Sequence, residues 1–176
     1  PGVGYAITLI ESAFALAPGT SNKRFRFTFE GLVNNGEIRV HIYRNDFEFN
    51  DTNWNLIGNP YPSAIDADLF INANPAIDGT LYLWSQNTPA SSTANGNQQL
   101  NFSNSDYAII NGTGEVAGGD GLIPQRKIPS GQAFFVSYSD AVEPINITIN
   151  FDGHTIGQGE VLFNNAMRVT GASDNS

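Results

Sequence analysis

Cysteine is absent from the 176 residues, so no disulfide framework, thiolate nucleophile or cysteine metal ligand can be built. Basic residues are scarce. Eight Lys and Arg stand against 17 Asp and Glu, for a formal charge of −9, and only two of the eight are lysines. A phosphate backbone has to be neutralised by clustered cations, so nucleic acid is not an expected partner. Arg24, Arg26, Arg39 and Arg44 lie close together but alternate with Phe25, Phe27, Val40 and Ile42. That pattern places the arginines on the solvent face of a hairpin. No run approaches the roughly 18 apolar residues of a membrane span, so membrane insertion is not expected. Histidine occurs only at His41 and His154, and there is no Gly-x-Ser-x-Gly and no His-Glu-x-x-His. Serine-triad and zincin chemistry therefore have no foothold. A glycosidase asks only for two carboxylates about 5–10 Å apart, but nothing in the spacing of the acids ties one pair together. No catalytic residue is assigned. The chain begins at Pro1 with neither initiator Met nor signal peptide, as expected of a processed or excised segment.

What is abundant is phenylalanine, 12 residues, mostly in alternating patterns. Arg24 to Glu30 alternates polar and aromatic without a slip, a period of two that specifies a strand with one apolar face. Asn34-Asn35-Gly36 is a hairpin turn signal, and Glu37–Arg44 returns with Ile38, Val40 and Ile42 inward, so 24–44 reads as a hairpin. Further strands are expected at 5–10, 80–84, 106–111, 132–138, 143–151 and 161–169. Residues 11–23 and 85–105 read as loops. The five glycines of 112–121 read as a mobile loop. Residues 1–169 form one expected β-sandwich domain, antiparallel and jelly-roll-like, with 170–176 as a flexible tail. Phe29-Glu30-Gly31 echoes Phe151-Asp152-Gly153, and Gly4-Tyr-Ala echoes Gly131-Gln-Ala. The chain could on that basis hold one and a half pseudo-repeats and present an unpaired strand edge, at 5–10 or in the 24–44 hairpin.

The organising stretch is 53–70. Trp54, Leu56 and Ile57 are expected to be buried in a short strand. Gly58 and Asn59 tolerate positive φ, and Pro60 and Pro62 stiffen the connection, with Tyr61-Pro62 a candidate cis bond. Ser63 stands at an N-cap position with Asp66 as its capping-box partner, and Ile65 and Leu69 give a helix near 63–71 its buried face.

The string Trp54-Asn-Leu-Ile-Gly-Asn-Pro-Tyr-Pro-Ser-Ala-Ile-Asp66 is long enough to be specific. With Leu81-Tyr-Leu-Trp84, Ile128-Pro-Ser-Gly-Gln-Ala-Phe-Phe-Val136 and Phe163-Asn-Asn-Ala-Met-Arg168, it resembles a module of secreted Bacteroidetes surface proteins. In those proteins the module often precedes a C-terminal sorting domain of the type IX secretion system. The resemblance spans about residues 4–168. It implies a secreted, cell-surface location and carries no catalytic motif.

Two candidate sites remain. Asp46 and Asp51 cluster with Asn50 and Asn53, and Asp66 with Asp68 forms a second group. Hard oxygen ligands of this kind suit calcium, but Asp66 already has a capping role and there is no glycine-punctuated calcium loop, so no cofactor is expected and calcium is the metal these residues could hold. Trp54, Tyr61, Tyr82, Trp84 and Tyr107 are the aromatics a carbohydrate-binding surface would use, each with burial in the core as its competing role. The function expected is that of a non-catalytic structural or adhesive module of an exported bacterial surface protein. Its partners would be other copies of itself or other parts of its parent. The alternative is a carbohydrate-binding module of a polysaccharide-degrading protein, and a glycoside hydrolase fragment is the third reading. Exposure of Trp54 or Trp84 would favour the glycan-binding reading.

Overall fold

The computed structural model describes residues 1–6, 30–45, 53–85, 91–94, 96, 99, 101–119, 121–149 and 155–169. The described residues form an all-β, antiparallel architecture with one short α-helix among them. The strands are β1 (Ile38–Asn45), β2 (Trp54–Gly58), β3 (Ile65–Asp66), β4 (Thr80–Trp84), β5 (Tyr107–Asn111), β6 (Gly114–Val116), β7 (Lys127–Ile128), β8 (Ala133–Ser137), β9 (Asn146–Ile149) and β10 (Thr155–Phe163). The helix α1 covers Ala67–Ala73. A five-stranded sheet runs β2-β8-β4-β5-β6, a three-stranded sheet runs β1-β10-β9, and β3 pairs with β7. The pairings are nested: β1 with β10, β2 with β8, β3 with β7, β4 with β5. The chain is thus folded back on itself as a doubled ribbon and rolled, which is the jelly-roll pattern the alternation suggests.

One core joins the sheets. Val40, Ile42, Val161 and Phe163 from the smaller sheet meet Ile57, Leu81, Ile110, Phe134 and Val136 from the larger, with Phe70 of α1 closing one end. Phe70 sets its ring 4.8 Å from Phe163 and edge-on at 5.4 Å to Phe134. Side-chain amides lock the layers together. Asn55 both accepts from Tyr43 N and donates to Tyr43 O at 2.8 Å, so it mimics a strand at the edge of β1. Asn74 does the same for Leu162 of β10, accepting at 2.6 Å and donating at 3.0 Å, and its amide also satisfies Phe70 O at the end of α1.

The organising stretch departs from expectation in its local causes. Gly58 and Asn59 do not have positive φ. The strand is stopped instead by the Asn59 side chain, whose Oδ1 accepts from Tyr61 N at 3.0 Å. Its amide nitrogen donates to the carbonyls of Ser63, Ile128 and Pro129, so one buried amide staples the Pro60–Ser63 turn to the loop before β8. Among the described residues no peptide bond is cis, so Tyr61-Pro62 is trans. The helix starts later than expected because Asp66, not Ser63, is its N-cap, accepting from Leu69 N at 3.0 Å. Ser63 instead takes a hydrogen bond from Arg168 Nε. The shift rotates the buried face: Ala67 and Phe70 point inward, Ile65 is buried within β3, and Leu69 is exposed.

Other expectations are corrected in the same way. Arg44 belongs to the inner face of β1, below Ile42. It is buried because its guanidinium donates to Ser139 O and Val142 O and lies 5.1 Å from the Tyr138 ring centre. Arg39 is exposed and pairs with Glu37, as its alternation suggests. The loop expected at 112–121 contains β6, because Asn111 Oδ1 caps a tight turn and returns the chain alongside β5. The last strand is Thr155–Phe163, and the expected continuation to Val169 is instead a 3-10 turn at Asn165–Met167. The first strand of the expected hairpin at 24–29, most of the strand at 5–10, residues 46–52, His154 and the tail 170–176 lie outside the described residues. Val3 makes a single bridge to Ile57, so residues 2–4 line the edge of β2.

Candidate functional site

Alternation in the five-stranded sheet decides which rings reach solvent. Leu81, Ala108, Ile110, Phe134, Val136 and Ile57 point inward and are buried. Their neighbours Tyr82, Trp84, Tyr107, Ile109, Phe135 and Trp54 must then point outward. Cross-strand register brings these outward residues side by side: Tyr82 is opposite both Ile109 and Phe135, and Trp84 is opposite Tyr107. The result is a continuous aromatic face. Trp54 meets Tyr82 edge-on at 4.7 Å, Tyr107 meets Phe135 at 5.8 Å and Trp84 at 4.8 Å, and Trp84 meets Phe102 at 5.3 Å.

This face is not flat. Trp54, Tyr82, Tyr107, Ile109 and Phe135 line a concavity of about 570 Å³. Trp54 stands at its rim with 46% of its surface exposed, and Trp84 is 36% exposed beyond the opposite side of Tyr107. Among the described residues that line it, none is charged at neutral pH. Partial burial holds the Tyr107 phenol protonated above its ordinary range. The chemistry that the described residues bring to it is ring faces and edges with the phenols of Tyr82 and Tyr107. It suits a neutral ligand with apolar surfaces and hydroxyl groups of its own.

Four of the five aromatics picked from the sequence converge here. Trp54, Tyr82, Trp84 and Tyr107 share the outer face, and the expectation that Trp54 is buried gives way, because the inward residue of β2 is Ile57. Tyr61 is not part of it. Its ring is buried edge-on to Phe163, its hydroxyl donates to Gly36 O at 2.5 Å, and the Arg168 guanidinium lies 5.5 Å from its centre. Phe135, Ile109 and Phe102 complete the surface and were not singled out. Phe135 could have been, because it sits one step off the inward Phe134 in an alternating strand. Phe102 follows a polar loop with no periodic signal.

Of the four acidic candidates, Asp66 and Asp68 are otherwise engaged. Asp66 caps α1, and Asp68 pairs with Arg126, which also pairs with Glu115 and donates to Asn111 O. That arrangement ties α1 to the β5–β6 hairpin. Asp46 and Asp51 lie outside the described residues. Among the described residues no three acids or histidines gather as a metal-binding group. No helix among them is long and apolar enough to cross a membrane.

The chain belongs to a family described as a domain of unknown function (DUF8693), whose model matches residues 1–176. No curated protein and no solved structure matches it.

Proposed function

We propose that this domain is a non-catalytic adhesive module of an exported bacterial surface protein, and that it binds neutral glycan chains on the aromatic face of its five-stranded sheet. The observation that carries the reading is the exposure of Trp54 at the rim of a ring-lined concavity. A large indole that could have been buried is instead held outward by strand register, beside Tyr82. Pyranose rings present a C–H face that packs on such an aromatic surface, and phenol hydroxyls supply the hydrogen bonds that orient a sugar. The charge of −9 makes acidic polysaccharides poor ligands, so the glycan class is neutral. The export and surface location rest on the resemblance of the Trp54–Asp66 string to secreted modules.

Affinity electrophoresis tests the proposal, with native gels that contain neutral polysaccharides such as xylan, glucan or mannan. The wild-type domain should be retarded in at least one gel, and Trp54→Ala and Tyr82→Ala should each abolish the retardation without unfolding the protein. Retardation that persists undiminished in both variants would place the contact elsewhere. Equal mobility in all gels would leave the aromatic face without a glycan role.

A further inference from the structure

A second surface points to a partner, and it is independent of the aromatic face. Strand β9 is the edge of the three-stranded sheet: β10 pairs with one side of it, and among the described residues no strand lies on the other. Register assigns its faces. Ile147 is opposite Gly157, which is opposite Arg44, and Arg44 lies on the core side of β1 with Ile42. Cross-strand neighbours share a face, so Ile147 is on the core side as well. It is nevertheless 58% exposed, and Ile145 is 73% exposed. The smaller sheet thus overhangs the larger at β9 and leaves an apolar ledge beside a strand edge that no described residue pairs with.

We infer that β9 is a self-pairing edge, occupied by β9 of a second copy of the chain in an antiparallel, two-fold arrangement. The sequence Pro144-Ile-Asn-Ile-Thr-Ile149 carries no charge, while the chain as a whole carries −9. Two copies repel one another over most of their surface, and this uncharged strand is where they can approach. The segment is also self-complementary. Antiparallel pairing centred on Ile147 sets Ile147 against its own copy and brings position 145 of one copy opposite position 149 of the other. On the other face Asn146 comes opposite Thr148, a pair able to hydrogen-bond across the strands. An edge rich in β-branched residues, with no lysine or glutamate within it, lacks the usual guards against such pairing. The contact is isologous and closes on itself, so it gives a dimer and not a fibre. A strand of four residues with a two-isoleucine ledge falls well short of the roughly 1,200–2,000 Å² of a stable interface. The dimer is therefore weak and reversible. Salt strengthens it by screening the repulsion between two acidic copies. Pairing would carry two aromatic faces in one particle and raise the avidity of each.

Sedimentation velocity over a concentration series, from low micromolar to near millimolar, tests the inference. Wild-type protein should pass from monomer to dimer, with the midpoint moving to lower concentration as salt is raised. Because Ile147 is exposed, Ile147→Lys and Ile147→Glu should fold normally and remain monomeric across the series. Mixed one to one, the two variants should recover a dimer, since opposite charges then face each other across the two-fold axis. A wild-type protein monomeric throughout would overturn the inference. So would a dimer that survives both substitutions, or association that grows beyond the dimer.

Discussion

Asn59 is the residue whose replacement tests the architecture most sharply. Its side chain is 4% exposed, accepts from Tyr61 N at 3.0 Å, and donates to Ser63 O at 2.8 Å, Ile128 O at 3.0 Å and Pro129 O at 3.1 Å. Two amide hydrogens serve three carbonyls, so Asn59→Ala removes about three hydrogen bonds in total and leaves one donor and at least two acceptors to find new partners. Each net bond is worth about 0.5–1.5 kcal/mol, and each buried group left unsatisfied costs about 1–3. Some of these carbonyls are near enough to the surface to be rescued by water, so the expected loss is about 2–4 kcal/mol. For a chain of this length that corresponds to a thermal midpoint lower by roughly 5–15 °C. Asn59→Asp is the finer probe. It keeps the acceptor for Tyr61 N but sets a carboxylate against carbonyl oxygens. The fold therefore prefers the protonated acid, and the variant should regain stability as pH falls through that raised pKa. Urea unfolding followed by tryptophan fluorescence reads both variants. A cost below about 0.5 kcal/mol for Asn59→Ala, or an Asn59→Asp variant no more tolerant of acid than the wild type, would refute the staple.

Other outcomes follow from the same geometry. Trp54→Ala should cost about 1 kcal/mol or less, because the ring is half exposed, whereas Phe134→Ala should cost about 3–5 because its ring is fully buried; paired urea melts compare them. Arg126→Ala unties α1 from the β5–β6 hairpin and should cost about 1–2 kcal/mol, less at high salt, in thermal melts at two ionic strengths. Burial raises the phenol pKa of Tyr61, with Arg168 opposing and Glu37 adding, and burial alone raises that of Tyr107. The fold therefore holds these protons more tightly than the unfolded chain does. Stability should be intact below pH 10 and fall as pH rises above it, and Tyr107→Phe should lessen that fall in alkaline unfolding curves.

Periodicity made the strands legible where one face is buried and the other wet. Thr80–Trp84 coincides with its expected span, and Phe134 and Val136 face inward as their alternation requires. Trp54 is exposed against expectation because hydrophobicity alone does not say which phase of a strand is inside. The phase was fixed by Ile57 pairing opposite Phe134. Arg44 is buried against expectation for the converse reason. Its position continues the inward series of Ile38, Val40 and Ile42, and two carbonyls from the loop after β8 make an inward guanidinium tolerable. Local capping was ambiguous between Ser63 and Asp66, both good N-caps. The antiparallel pairing of Ile65 with Ile128 extends the chain up to Asp66 and so decides between them. The aromatic face was legible as residue types but not as a site. Trp54, Tyr82 and Tyr107 are brought together by strand order, through β8 lying between β2 and β4, and no local pattern encodes that.

The most direct test of the proposed glycan-binding role of the aromatic face uses its own two tryptophans. The domain contains only Trp54 and Trp84, both on that face, so a ¹H–¹⁵N spectrum shows two indole N–H signals. Titration with a neutral oligosaccharide that retards the protein in gels should shift the Trp54 signal saturably, and the Trp84 signal to a lesser degree, while amides of the three-stranded sheet stay in place. Saturable binding that leaves both indole signals unmoved would contradict the account.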